Sequence, residues 1–307
     1  MAVFVPVSPD QSGYCLAPPP DECIGPCMAI MSVDEILAEG TKRNLRLALI
    51  VTALDLELQA VIAHLTPLAS VKGRDGVIYE CGLFHDVGQD WLVIVAETGA
   101  GTHQAQAVVT NAHMQFEPEL QIFVGVGGSR KLDVPIGSVV AADHVYMPYG
   151  GKYIEGGFSG RPREFAAHPR LLSVARKVRR DKAWIARIRN PADDALPPQD
   201  AYPVAFPPLG HIAPAVSTES VVADTAGDLA QMITNSFGDA CIVEMEGYGA
   251  IYAASQELKP AIVVRGVSDM TANKEPGTDK IRQPIAACHA AAFAFRTARA
   301  VGNFLPL

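Results

Sequence analysis

Carboxylates stand where two apolar runs end in the stretch from Cys241 to Glu275, CIVEMEGYGAIYAASQELKPAIVVRGVSDMTANKE. Side chains on an extended chain alternate between faces, so Glu244 and Glu246, one residue apart, point the same way. The second run, Ala261 to Val267, is continuously apolar, as in a strand buried on both faces, and it ends at Ser268 and Asp269. In open α/β sheets that edge is where ligands bind. Arg265 lies inside the run, where a buried guanidinium must meet an anion, and Glu244 on what reads as the neighbouring strand is the candidate. Taken singly, Glu246 could serve a helix dipole and Asp269 a turn or cap. Together the acids describe a site able to hold a small molecule and exchange protons with it.

The elements that must position these residues can be read in order. The first 45 residues form a separate arm, Pro-rich through Pro26 and without periodicity, expected to be loosely held. Ser32 caps a short helical pattern, SVDEILAEG, within it. Met28 or Met31 is a candidate natural start. The folded domain is expected over 46–307, opening with the buried strand RLALIVTA. Leu54, Leu58, Val61, Ile62 and Leu65 then recur at helical spacing and place Glu57 off the apolar face, in the first turn. Periodicity alone makes Glu57 a solvated helix residue, favoured there by the dipole.

Strands are expected at Val77–Leu83 and Trp91–Ala96, followed by Gly99-Ala100-Gly101 and a helix over His103–Phe116. This is only a fragment of the dinucleotide fingerprint, because Gln104 stands at the third glycine position. A further strand, Leu120–Val124, runs into Gly125-Val126-Gly127-Gly128-Ser129-Arg130-Lys131, where glycines let a ligand approach the backbone. It is not a Walker loop, since the Gly-Lys-Ser/Thr ending is missing. After a strand at Ser138–Tyr146, the glycine-rich segment 147–163, with Lys152, Arg161 and Arg163, reads as a long loop. A basic helix near His168–Arg180, a Pro-rich excursion to Pro208, a strand at Ile212–Val216 and an alanine-rich closing helix at Ile285–Val301 complete the chain. His289 in that helix reads as a core histidine.

The 307 residues, 49% hydrophobic and 19% charged, suffice for one sizeable α/β core. A formal charge of −8 argues against a partner such as nucleic acid. No apolar run reaches the roughly 18–20 residues of a spanning helix, and the amino terminus lacks the basic flank of a signal peptide. No membrane partner is expected, and the location is expected to be cytoplasmic. Cys15, Cys23 and Cys27 match no four-ligand zinc spacing, and Cys81, Cys241 and Cys288 read as small core residues. Neither metal nor cofactor is expected.

In order, TALDLEL (52–58), ETGAGTHQA (97–105), GVGGS (125–129), STESVV (217–222), VEMEG (243–247) and VVRGVSD (263–269) resemble the nucleoside phosphorylase and hydrolase superfamily. The branch they look most like is the 5′-methylthioadenosine/S-adenosylhomocysteine nucleosidases, over about Leu45 to Val301. The 147–163 loop, the Pro-rich excursion and the HAAAFAF ending also resemble nucleosidase-type domains of bacterial antiviral systems. The resemblance implies a single three-layer α/β domain with a central mixed, twisted sheet flanked by helices. It implies Asp269 as general acid on purine N7, Ser268 holding its carboxylate, Glu246 on the ribose hydroxyls, Met245 against the sugar and Glu57 activating water. Val221 and Val222 would lie beside the base, and Ala100 and Gly128 would close the pocket. Val126 replaces a usual serine and Val221 a usual aromatic, which leaves the base and its tightness of binding open.

The expected partner is therefore a small purine nucleoside or nucleotide, with a purine N-glycosidase, acting on adenine, as the leading function. A phosphate-dependent phosphorylase is the rival, for which Arg130 is a candidate phosphate ligand. Glu57 beside the nucleophile would repel phosphate and favours water. Lys152, Arg161 and Arg163 are candidates to hold a 5′-phosphate or triphosphate, as in an ATP-depleting defence nucleosidase. A non-catalytic purine sensor is a further alternative. The resemblance also implies a homodimer or higher homo-oligomer.

Overall fold

The computed structural model describes residues 30–85, 90–155, 157–161, 163–189, 204, 206–223, 226–271 and 277–304. In chain order its elements are β1 (Ile30–Ser32), α1 (Val33–Lys42), β2 (Arg46–Thr52), α2 (Asp55–Ile62), β3 (Thr66–Lys72), β4 (Ile78–Phe84), β5 (Trp91–Glu97), α3 (Thr102–Phe116), β6 (Leu120–Ser129) and β7 (Val139–Met147). There follow β8 (Gly151–Ile154), β9 (Gly157–Gly160), β10 (Arg163–Ala166), α4 (Pro169–Asp181), a 3-10 turn (Ile185–Arg187), β11 (Gly210–Ser217), α5 (Asp228–Ser236), β12 (Ile242–Glu244), α6 (Gly247–Gln256), β13 (Ala261–Met270) and α7 (Asp279–Phe304).

One large mixed sheet organises the molecule, and it has two halves. β1, β3, β4, β5 and β2 form an open wing that reaches β6. From β6 the pairing passes to β12, β11 and β7, and β13 pairs with both β6 and β7, so these five strands close a ring. The central strands are buried on both faces, as their unbroken apolar runs require: Leu49, Val51, Ile122, Phe123, Val263 and Val264 are all fully enclosed. One face packs on α2, α4 and α7, the other on α1, α3 and α6, giving three layers around two large apolar cores, with a smaller third beneath α5. The expected three-layer α/β architecture is the observed one.

Several boundaries differ from the sequence reading. The described part of the segment read as a loose arm belongs to the fold: β1 pairs with β3, and Val33 and Ile36 of α1 are core residues. Its cap is as expected, with Ser32 Oγ accepting from Glu35 N and Ser32 N donating to Glu35 Oε2 at 2.7 Å. Residues 1–29, with the Pro-rich tail and its cysteines, lie outside the described residues. β3 was hidden because Pro67 interrupts its pattern. The 147–163 loop contains a hairpin, β8 with β9, and β10 returns to the main sheet beside β7. β12 and β13 are not neighbours either, because β6 runs between them. His289 is a core residue, its Nδ1 2.7 Å from Gly137 O and its pKa lowered by burial to about 4. Among the described residues no helix is long and apolar enough to cross a membrane.

Candidate active site

The ends of β6, β12 and β13 and the start of α2 surround a cavity of about 230 Å³. Glu57, Ala100, Gly128, Val221, Val222, Glu244, Met245, Glu246, Ser268 and Asp269, all singled out in the sequence, line it. Val126, Thr218, Thr271 and Gln283 line it as well.

Glu57 corrects the periodicity reading: it is 1% exposed, not solvated. The first turn of α2 points into the sheet's end, where backbone N–H groups wait. Glu57 Oε2 accepts from Ala53 N at 2.7 Å and Leu54 N at 3.1 Å, and Oε1 from Val126 N at 2.8 Å. The valine that replaces a usual serine thus still serves the site through its backbone. Burial pushes the Glu57 carboxyl up, opposed by Arg265 and by those N–H donors.

Arg265 is fully buried and does not line the cavity; it lies beneath it. Its Nη2 donates to Glu244 Oε2 and, at 3.0 Å, to Glu246 Oε2, while Nη1 is 3.9 Å from Glu57 Oε1. Its other face covers the Phe123 ring at 4.3 Å. Arg265 thus meets Glu244, the anion expected for it, and Glu246 and Glu57 besides; named among the substrate-binding candidates by the sequence, it instead positions three carboxylates from beneath the cavity. It reaches Glu244 across the intervening β6 because that strand has no side chain in the way. A Cβ on Gly125 would collide with Arg265 Nη1 and lie 2.6 Å from Glu57 Oε1.

Glu244 is held further by the Ser217 hydroxyl, which donates to Oε1, and by Glu246 N and Gly247 N at 3.1 and 2.7 Å on Oε2. The role of Ser217 escaped sequence reading, although it opens the STESVV motif. Glu246 Oε1 accepts from Gly101 N at 3.0 Å, so the Gly-Ala-Gly turn before α3 binds a carboxylate of its own chain. One guanidinium cannot neutralise three buried carboxylates, and burial foremost, with Glu244 and Glu57 adding to it against Arg265, raises the Glu246 carboxyl to about 7. Arg265 itself is held in its charged form, its pKa raised because the three carboxylates outweigh the cost of burial.

Asp269 faces the same cavity from a bulge in β13, between Val267 and Asp269, that turns its side chain toward Gly128. Ser268 Oγ donates to Asp269 Oδ2 at 2.8 Å. A Cβ on Gly128 would sit 2.8 Å from Asp269 Oδ1, so that glycine makes room for the acid. Val221, 60% exposed, stands at the rim.

The phosphate candidates lie elsewhere. Arg130 caps the end of α5, donating to Phe237 O and Ala240 O at 3.1 Å and to Thr234 Oγ1 at 2.9 Å, and does not line the cavity. Those carbonyls occupy the donors a phosphate would need. Lys152, Arg161 and Arg163 are exposed and outside the cavity lining. Their segment is tied to its rim, since Tyr149 OH accepts from Glu219 N at 2.6 Å. No described His, Cys, Asp or Glu cluster has the arrangement of a metal site.

A profile of the phosphorylase superfamily matches residues 48–299. The chain belongs to that superfamily. Among its superfamily relatives, a death domain-containing ATP nucleosidase of Amphimedon queenslandica is 30% identical over 241 residues, 74% of this chain and 44% of that protein. An ATP nucleosidase of Escherichia coli is 25% identical over 58% of this chain and 36% of its own length. The chain thus spans less than half of either. A 5′-methylthioadenosine/S-adenosylhomocysteine nucleosidase of Staphylococcus saprophyticus is 25% identical over 63% of this chain and 74% of its own. The superfamily fold is also that of the Streptococcus pyogenes S-adenosylhomocysteine nucleosidase, with a TM-score of 0.65 at 20% identity over 85% of this chain and 98% of the other.

Proposed function

We propose that the cavity cleaves the N-glycosidic bond of a purine nucleoside or nucleotide with water. The observation that carries this reading is that Glu57, Glu246 and Asp269 line one cavity, from the start of α2, the end of β12 and the end of β13 respectively. Asp269, held by Ser268, gives a proton to N7 as the bond from the base to C1′ breaks. Glu246 accepts from the ribose hydroxyls. Glu57 orients a water and takes its proton as the oxygen bonds to C1′, so the products are the neutral base and the free sugar. Protonation relieves the charge that builds on the departing base, a contribution of about 10²–10⁴ in rate for a placed acid.

Water is favoured over phosphate by electrostatics. Four carboxylates line the cavity, and among its described lining residues there is no lysine or arginine. A phosphate nucleophile would enter against like charge with no cation among the described lining residues to meet it. The identity with ATP nucleosidases supports adenine nucleotides as substrates, with the exposed Lys152, Arg161 and Arg163, on a segment fastened to the rim through Tyr149, reaching the 5′-phosphates. The resemblance supports a homo-oligomer, which light scattering on the purified chain tests.

The test of function is chromatography of reactions with adenosine, 5′-methylthioadenosine, S-adenosylhomocysteine, AMP and ATP, with and without phosphate. Free adenine without phosphate is expected, and Asp269→Asn should abolish it. Release only with phosphate would make the protein a phosphorylase, and release from none of them would favour a sensor. Charge reversal at Arg161 and Arg163 should spare adenosine and impair ATP; equal rates on both would remove the phosphate role.

A further inference from the structure

A second, smaller cavity, about 30 Å³, lies at the other end of α2 from Glu57. His64, Phe84 and Phe295 line it together with Arg187, Arg189, Arg296 and Arg299. No carboxylate is among its lining residues. We propose that it is a binding site for a phosphoryl group or similar oxyanion, held by Arg187, Arg189 and Arg296 with His64 as a neutral donor.

His64 is the first reason. It is only 9% exposed, its ring stacks on Phe295 with centroids 4.7 Å apart, and its Nε2 has no hydrogen-bond partner among the described residues. A buried polar atom normally finds a partner, so an orphan in a cavity wall marks a place for a ligand atom. Burial first, then Arg189 and Arg187, holds the ring neutral with a pKa lowered to about 4. A neutral imidazole can carry its proton on Nε2 and donate it to an oxyanion.

The guanidiniums are the second reason. Arg187 and Arg189 are exposed and meet no carboxylate among the described residues. Arg189 Nη1 donates to Ala63 O, the carbonyl after α2, at 3.0 Å, which fixes that side chain at the helix's C-terminal end. Arg296 gives Nη2 to Asp181 at 3.1 Å, yet its Nε is buried without a partner. Converging forked donors are the usual recognition of phosphate.

The neighbourhood supplies the field. At the end of α4 whose Asp181 meets Arg296, Arg179 and Arg180 are exposed, and Lys182 follows, in a chain whose net charge is −8. A cavity with basic walls on an acidic body focuses an approaching anion locally. The cavity holds an anionic group, not a base, and α2's eight residues separate it from the substrate cavity by roughly 12 Å.

The test is a titration of the full chain with inorganic phosphate, followed through the His64 ring resonances by NMR, against sodium chloride at matched ionic strength. Phosphate should move those resonances to saturation in the millimolar range, and chloride should not. Arg187→Glu with Arg189→Glu, both at the surface, should weaken phosphate at least about tenfold and leave nucleoside cleavage unchanged. Equal shifts with chloride, no shift with phosphate, or undiminished affinity in the double variant would each overturn the proposal. Repeating the titration with inorganic triphosphate and with vesicles of anionic lipid separates a soluble polyphosphate from a headgroup as the source of the phosphoryl group.

Discussion

The two ends of α2 present opposite electrostatic situations. At its start, Glu57 shares one fully buried guanidinium with Glu244 and Glu246, and every carboxylate there accepts backbone N–H groups as well. At its end, several guanidiniums gather around a histidine with no carboxylate in the cavity wall. The first end has an excess of negative charge that only protons can relieve. The second has an excess of positive charge left partly in water, where solvation makes it cheap. The first end suits the proposed proton chemistry better, since burial raises the Glu57 and Glu246 carboxyls there.

The largest way to break the contrast is Arg265→Met, which removes the cation beneath the first end. With three carboxylates then buried together, unfolding free energy should fall by about 3–5 kcal/mol, read by denaturant titration, and purine release should vanish. Arg189→Ala, the matching change at the second end, should cost within about 0.5 kcal/mol, as for a surface position. Between these extremes, Gly125→Ala should destabilise by about 1–3 kcal/mol, since its Cβ would press into the Arg265–Glu57 contact. Glu57→Gln keeps the shape but loses the base, and should lower kcat by about 10²–10⁴; its amide nitrogen cannot accept from the N–H groups that Glu57 holds, so unfolding free energy should fall as well, by about 1–3 kcal/mol.

The pH dependence sharpens the comparison with the smallest effect. Glu246 has its pKa raised from 4.5 to about 7 in the fold, so the native state holds a proton that the unfolded chain releases. Between about pH 4.5 and 7 the native state therefore binds more protons than the unfolded one, and Glu246's contribution to stability falls as pH rises across that window, then levels off. Glu246→Gln should flatten that decline in stability against pH. If Glu246 holds the ribose hydroxyls as proposed, it does so in its ionised form, so kcat/KM in the native protein should rise as pH passes about 7. At the other end His64, its pKa lowered to about 4, is neutral over most of this range, so Arg187 and Arg189 variants should leave the kcat/KM profile in place.

Much of the site was legible because strand ends and short motifs are local. The alternation that puts Glu244 and Glu246 on one face brought both to Arg265, and the apolar run before Asp269 placed that acid at the cavity. The strand neighbours were not legible. β6 comes between β12 and β13, and only its glycines let Arg265 act across it. Glu57 looked like a solvated helix residue for a related reason. Helical periodicity reports the face turned to the core, whereas the first turn of α2 meets the sheet end-on. Arg130 misled in the opposite sense, since following a glycine loop says nothing about the carbonyls of α5 that occupy it.

By itself the sequence determined the α/β class, the runs that become buried strands and the acids at their ends, because each depends on alternation or apolar length within a few residues; the three layers were implied only by the family resemblance. Only the tertiary structure decided that five strands close a ring, that one arginine holds three glutamates beneath the cavity, and that a histidine and three arginines from distant segments meet behind α2. Those outcomes depend on which segments are adjacent after folding, where burial and Coulomb energies are set by neighbours the chain order does not reveal.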